Sequence, residues 1–103
     1  MPIPQLSSEQ LSQARQKATE ARRARATFKK RISTGELSLT QALEIAMADT
    51  TLAHIKVTDL LISIPRVGEK RVEDMMERHH IARSRRIQGL GPRQIEGLKS
   101  EFA

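Results

Sequence analysis

The chain contains no cysteine, no tryptophan and no tyrosine, and its only aromatic residues are Phe28 and Phe102. Without cysteine there is no disulfide framework, no thiolate metal site and no cysteine nucleophile, so packing alone has to stabilise the fold. A base-stacking platform of the kind used by RNA-recognition sheets and single-strand-binding barrels needs several exposed rings, more than two phenylalanines supply. Any nucleic acid is therefore expected to be held through its backbone. No apolar run approaches the roughly 20 residues needed to cross a bilayer, and the opening Met1-Pro2-Ile3-Pro4-Gln5 lacks the charged and then apolar regions of a signal peptide. We expect a cytoplasmic protein without a membrane partner.

What is present is a helical pattern with a large positive charge. The 103 residues leave room for one compact domain. Spacings of three and four residues recur throughout, with no sustained period-two window, which predicts an all-α fold of five helices in a small orthogonal bundle. The first helix is expected from a Ser7 cap, with Gln10 as its reciprocal partner and Leu6 and Leu11 as a hydrophobic staple, to a stop at Gly35. Its apolar stripe is Leu11, Ala14, Ala18, Ala21, Ala24, Phe28 and Ile32. Alanine buries little area, so the first half of this helix is expected to project or fray. Ser38, Gln41 and Leu37 repeat the capping device for a second helix ending near Asp49, followed by a polar turn over Asp49 to Thr51. Val57, Leu60, Leu61 and Ile64 predict a short third helix stopped by Pro65. A fourth begins after Gly68 and buries Val72, Met75 and Met76; a fifth opens at Gly91-Pro92 and buries Ile95, Leu98 and Phe102.

The net charge is +6, with a pI near 10.5. It is distributed as +5 over residues 1–36, −2 over 37–63 and +3 over 64–103. On this division, residues 1–36 read as a basic N-terminal arm and 37–103 as the binding domain, within one structural unit. Two windows lack any acid: Ala21 to Gly35, with Arg22, Arg23, Arg25, Lys29, Lys30 and Arg31, and Arg78 to Ile95, with Arg78, Arg83, Arg85, Arg86 and Arg93. Guanidinium groups pair phosphate bidentately and displaced counterions drive association, so both windows are candidate polyanion surfaces. A solvated helix face is the competing account of the first. The second sits beside Gly89-Leu90-Gly91, where a loop on a rigid scaffold suits binding.

Ile64-Pro65-Arg66-Val67-Gly68 has the pattern of a turn between two helices. The unpaired amides opening the next helix carry partial positive charge and can hold a phosphate, supplemented by Arg66, Lys70 and Arg71. An ordinary helix connection is the alternative. The helix that follows carries Glu69, Glu73, Asp74 and Glu77, so only its start is expected to touch DNA. Catalytic candidates are few. His54, His79 and His80 lack metal-ligand spacing, and His79 reads as a core-edge residue beside Met75 and Met76. Pro2 as an N-terminal nucleophile has no clustered acids and no room for a catalytic β-domain. No enzyme, metal, cofactor or small-molecule substrate is expected.

In their order and spacing, Pro4-Gln5-Leu6, Ala21-Arg22-Arg23-Ala24-Arg25-Ala26, Lys56-Val57, Leu60-Leu61, Pro65-x-Val67-Gly68, Ser84-Arg85-Arg86, Gly89-Leu90-Gly91 and Glu101-Phe102 resemble the actinobacterial integration host factors over the whole chain. The resemblance implies a helix-two-turn-helix fold related to one in a ribosomal small-subunit protein. It also implies a nucleoid-associated protein that binds and shapes double-stranded DNA largely without sequence preference. Carried over, Pro65, Arg66, Val67, Gly68 and Lys70 form one phosphate-binding surface with Lys56 nearby. Ser84, Arg85, Arg86 and Gly89 to Gly91 form a second, which Gln88 and Arg93 adjoin. Two surfaces on a monomer would bridge or bend duplexes. Glu69 and Gln88 stand where the family pattern has lysine and arginine, and Val72 where it has alanine; the two polar changes remove positive charge. Structured or ribosomal RNA is the alternative ligand, because phosphate chemistry at a turn is indifferent to the sugar.

Overall fold

The first three helices each start at a side-chain cap. A computed structural model of the chain describes residues 7–103. The Ser7 side chain accepts from the Gln10 amide at 3.1 Å while Gln10 Oε1 accepts from the Ser7 amide at 2.9 Å, opening α1 over Ser8–Ser33. Leu6, expected as the staple residue, lies outside the described residues. Gly35 takes φ +83°, the left-handed conformation in which glycine meets no Cβ penalty, and ends the helix. Ser38 and Gln41 repeat the box at the start of α2, Leu39–Met47.

A polar turn was expected after α2, but the structure has a further helix there, α3 over Thr50–Ala53. The Asp49 carboxylate accepts from the amides of Thr51 and Leu52 at 2.9 and 3.2 Å, and Leu52 and Ala53 are buried, so cap and burial together fold four residues. Then follow α4, Val57–Ile62, α5, Glu69–Arg78, a 3₁₀ turn, Ile87–Gly89, and α6, Pro92–Glu101. The described chain thus has six α-helices where five were expected. It contains no strand among the described residues, only an isolated antiparallel bridge between Lys56 and Arg86.

One core unites these elements. Ile32 of α1, Leu43 of α2, Leu60 and Leu61 of α4, Met75 of α5, Ile87 of the 3₁₀ turn and Leu98 of α6 are all inaccessible to solvent. Each such side chain contributes about 1.5–3 kcal/mol by leaving water. Ile95 and Phe102, expected inside, only pack against its edge. In α1 the first buried residue is Phe28, and Ser7 to Ala18 are all exposed. The alanine-rich half therefore projects as a continuous helix without core support.

Candidate nucleic-acid interface

The connection between α4 and α5 consists of two successive turns. Ser63 and Ile64 donate to Leu60 and Leu61, closing α4, and Val67 donates to Ile64 at 3.2 Å across Pro65 and Arg66. Proline second and a positive φ third are the requirements of a type II turn, whose third position usually holds glycine. Here Arg66 takes it, at φ +67°. A side chain in that conformation costs of order 1 kcal/mol, and it leaves Arg66 exposed at the tip.

Val67 is buried and anchors the turn. Gly68 caps α5 at φ −92°, ψ 172°, a backbone any residue adopts, and a Cβ there would meet nothing within 4 Å. Nothing inside the described protein requires glycine at 68, and the backbone there is open to solvent. Of the neighbouring cations, Lys70 is exposed and 3.4 Å from Asp74, while the Arg71 guanidinium lies over the Phe102 ring, 4.9 Å from its centroid. Glu69 is exposed in the first turn of α5.

The second expected surface is a structured loop. The Val57 amide donates to Arg85 O and the Ile87 amide to Ile55 O, both at 3.0 Å, tying residues 85–87 to the start of α4. Arg85 folds back so that its Nη1 donates to Gly89 O at 2.7 Å; a Cβ on Gly89 would lie 2.8 Å from the Arg85 side chain. A side chain at 89 would displace Arg85 from this position. Arg86 donates to His54 O. Ser84, Gln88, Gly89 and Arg93 are exposed, whereas Gly91 is half-buried, its amide held by Gln94 Oε1 at 2.9 Å.

These contacts regroup the expected residues. Lys56, expected near the turn at 65–68, precedes α4, whose six residues place about 9 Å of helix between it and that turn, and its backbone pairs with Arg86. Arg25 and Lys29 of α1 join them: with Lys56, Arg83 and Arg86 they line one open concavity of about 640 Å³. Arg22, Arg23, Lys30 and Arg31 are exposed elsewhere on α1, Arg31 being held by Glu36 at 2.7 Å.

Sequence reasoning missed one polar cluster. His79 is bonded through Nε2 to Glu101 Oε1 at 2.8 Å, and Arg78 donates to both oxygens of that carboxylate at 2.8 and 3.0 Å. The Arg78 guanidinium and then the His79 ring hold the Glu101 carboxyl down to about 2, and the same hydrogen bond raises Arg78. An ionised carboxylate only accepts, so Nε2 carries the proton. This clamp fixes the end of α5 against α6. Its one signal in the sequence is Gly97 inside a helix: a Cβ there would stand 2.4 Å from His79 Nδ1.

Fold and surface together define a small helical protein whose two-turn connection and neighbouring loop expose cations. Residues 32–102 match the family described as the S13-like H2TH domain. Over 102 residues, 99% of this chain, it is 43% identical to the integration host factor of Mycobacterium tuberculosis and 42% identical to that of Mycolicibacterium smegmatis, covering 97% of each. It is 40% identical to the integration host factor of Streptomyces coelicolor, covering 95% of it. A solved structure of sIHF bound to an 8 bp palindromic DNA superposes with a TM-score of 0.81 at 40% identity, over 85% of this chain and 99% of that one. The chain belongs to the actinobacterial integration host factor family.

Proposed function

We propose that this protein binds double-stranded DNA through its phosphates, largely without sequence preference, and acts as a nucleoid-associated architectural factor. The observation that carries the reading is its likeness across 85% of the chain to a protein solved on a DNA duplex. The exposed turn Pro65–Gly68 with Arg66 and Lys70 serves as one surface. The loop with Ser84, Arg85, Arg86, Gln88 and Arg93 serves as the other. Arg71 belongs to the first as a flanking charge, steadied by Phe102. Residues 1–36 act as a basic arm beside the domain at 37–103. A monomer gripping DNA at two surfaces bends it or bridges two duplexes, and no catalysis is assigned.

Engaging about five to eight phosphates gives a log affinity that falls with log salt at a slope of about −5 to −7. Titration of a mixed-sequence duplex at several salt concentrations measures it, and a slope near zero refutes the reading. Structured RNA is the second reading, because phosphate chemistry at a turn is indifferent to the sugar. RNA that displaces the protein from duplex DNA at equal nucleotide concentration would establish it.

A further inference from the structure

The concavity at the foot of α1 gathers residues from three distant segments: Arg25 and Lys29, Lys56 with Asp59, and Arg83 with Arg86. Five of these are cations and one is an acid. Arg83 lies 3.7 Å from Glu73. Among the described residues, no acid lies within ion-pair distance of Arg25, Lys29, Lys56 or Arg86. Packing does not require such a gathering, since charges of one sign brought together repel and leave a concentrated positive field in the hollow. Arg86 is furthermore fixed at the wall by its bond to His54 O, so the cation is positioned before any ligand arrives.

The hollow continues along α1. At 100° per residue, Arg15, Arg22, Arg25 and Lys29 fall within about 80° of one another around the axis, a stripe about 21 Å long. Arg15 and Arg22 are exposed and precede Phe28, the first buried residue of α1. The four cations of this stripe can meet up to about four phosphates.

We propose that this stripe and hollow form a third phosphate-binding track, which receives the DNA flanking the segment held by the 84–91 loop, Arg86 belonging to both. The inference rests on the duplex-binding reading above. It makes the projecting helix an arm that lengthens the DNA contact, so affinity depends on duplex length. An 8 bp duplex held at the turn and loop does not reach the arm, whereas a 30 bp duplex does.

The test compares the full chain with the variants Arg25→Gln plus Lys29→Gln and Arg15→Gln plus Arg22→Gln on duplexes of 8 and 30 bp. Helical circular dichroism serves as the folding control, and the second pair lies where no core residue is touched. On 30 bp each pair is expected to weaken binding by about tenfold at low salt and to make the salt slope shallower by about 2. On 8 bp the Arg15 and Arg22 pair leaves binding unchanged, whereas the Arg25 and Lys29 pair, which shares the hollow with Arg86, still weakens it. Equal losses on both lengths from the Arg15 and Arg22 pair, or none from it on either while the wild type still binds, overturn the third track and leave the proposed function standing. A wild type that binds neither duplex overturns both.

Discussion

Alanine at position 97 should reverse the sign of an ordinary substitution. Gly97 lies within α6, where glycine to alanine normally stabilises by up to about 1 kcal/mol. Here the added methyl would stand 2.4 Å from His79 Nδ1 and 2.7 Å from Cε1, far inside contact distance. The ring has to swing out, and with it goes the 2.8 Å bond to Glu101. A hydrogen bond to a charged group is worth about 1.5–3 kcal/mol. After the helix gain is subtracted, Gly97→Ala should destabilise by about 0.5–2 kcal/mol, a fall of roughly 2–15 °C in Tm for a domain of this size. The same substitution in a His79→Ala background meets no ring and should stabilise by up to about 1 kcal/mol. Thermal unfolding of the four proteins closes the cycle, with a coupling of about 1.5–3 kcal/mol. If Gly97→Ala raises the Tm of the wild type, the ring does not occupy the space beside α6 and the clamp is misdescribed.

Gly68→Ala should leave Tm within about 2 °C, since the added carbon meets nothing, yet weaken duplex binding severalfold if a phosphate approaches that backbone; unchanged affinity removes the turn from the interface. Glu101 titrates at about 2 when folded against an ordinary value near 4.5. Its folded pKa is depressed, so its stabilisation is complete above about pH 4.5 and is lost as pH falls towards 2. Glu101→Gln should flatten stability across that window, as acid titration of urea midpoints would reveal; an unaltered profile excludes the carboxylate as its source. Arg85→Ala with Arg86→Ala should weaken binding to unrelated DNA sequences almost equally. Because both side chains also hold carbonyls, lysine replacements serve as the charge-preserving control, and loss confined to one sequence would indicate base readout.

Features set by neighbours within four residues were legible in the sequence. Both capping boxes follow from side chains that reach their own backbone, and the stop at Gly35 follows from the left-handed conformation that glycine tolerates. The six-residue spacing of α4 was equally readable from Val57, Leu60 and Leu61. α3 was not, since four residues cannot display a 3.6-residue period and its only cue was the Asp49 cap. Arg66 in a left-handed conformation breaks the usual preference for glycine, so no propensity argument points to it. Contacts between distant segments were invisible for a different reason. Lys56 meets Arg86 and His79 meets Glu101 across 30 and 22 positions, and neither a charge window nor a periodic stripe encodes such pairings. Grouping basic residues by sequence window therefore separated Arg25 and Lys29 from Lys56 and Arg86, which the fold unites.

The unsupported half of α1 has one more consequence. Lacking core contacts, it keeps its shape by its serine cap and by local bonds such as Gln16 to Glu20, so its amides should exchange with solvent far sooner than those near Phe28. An anion seated along Arg15 and Arg22 should slow that exchange. Deuterium uptake over this stretch is thus a built-in gauge of how much negative charge surrounds the molecule.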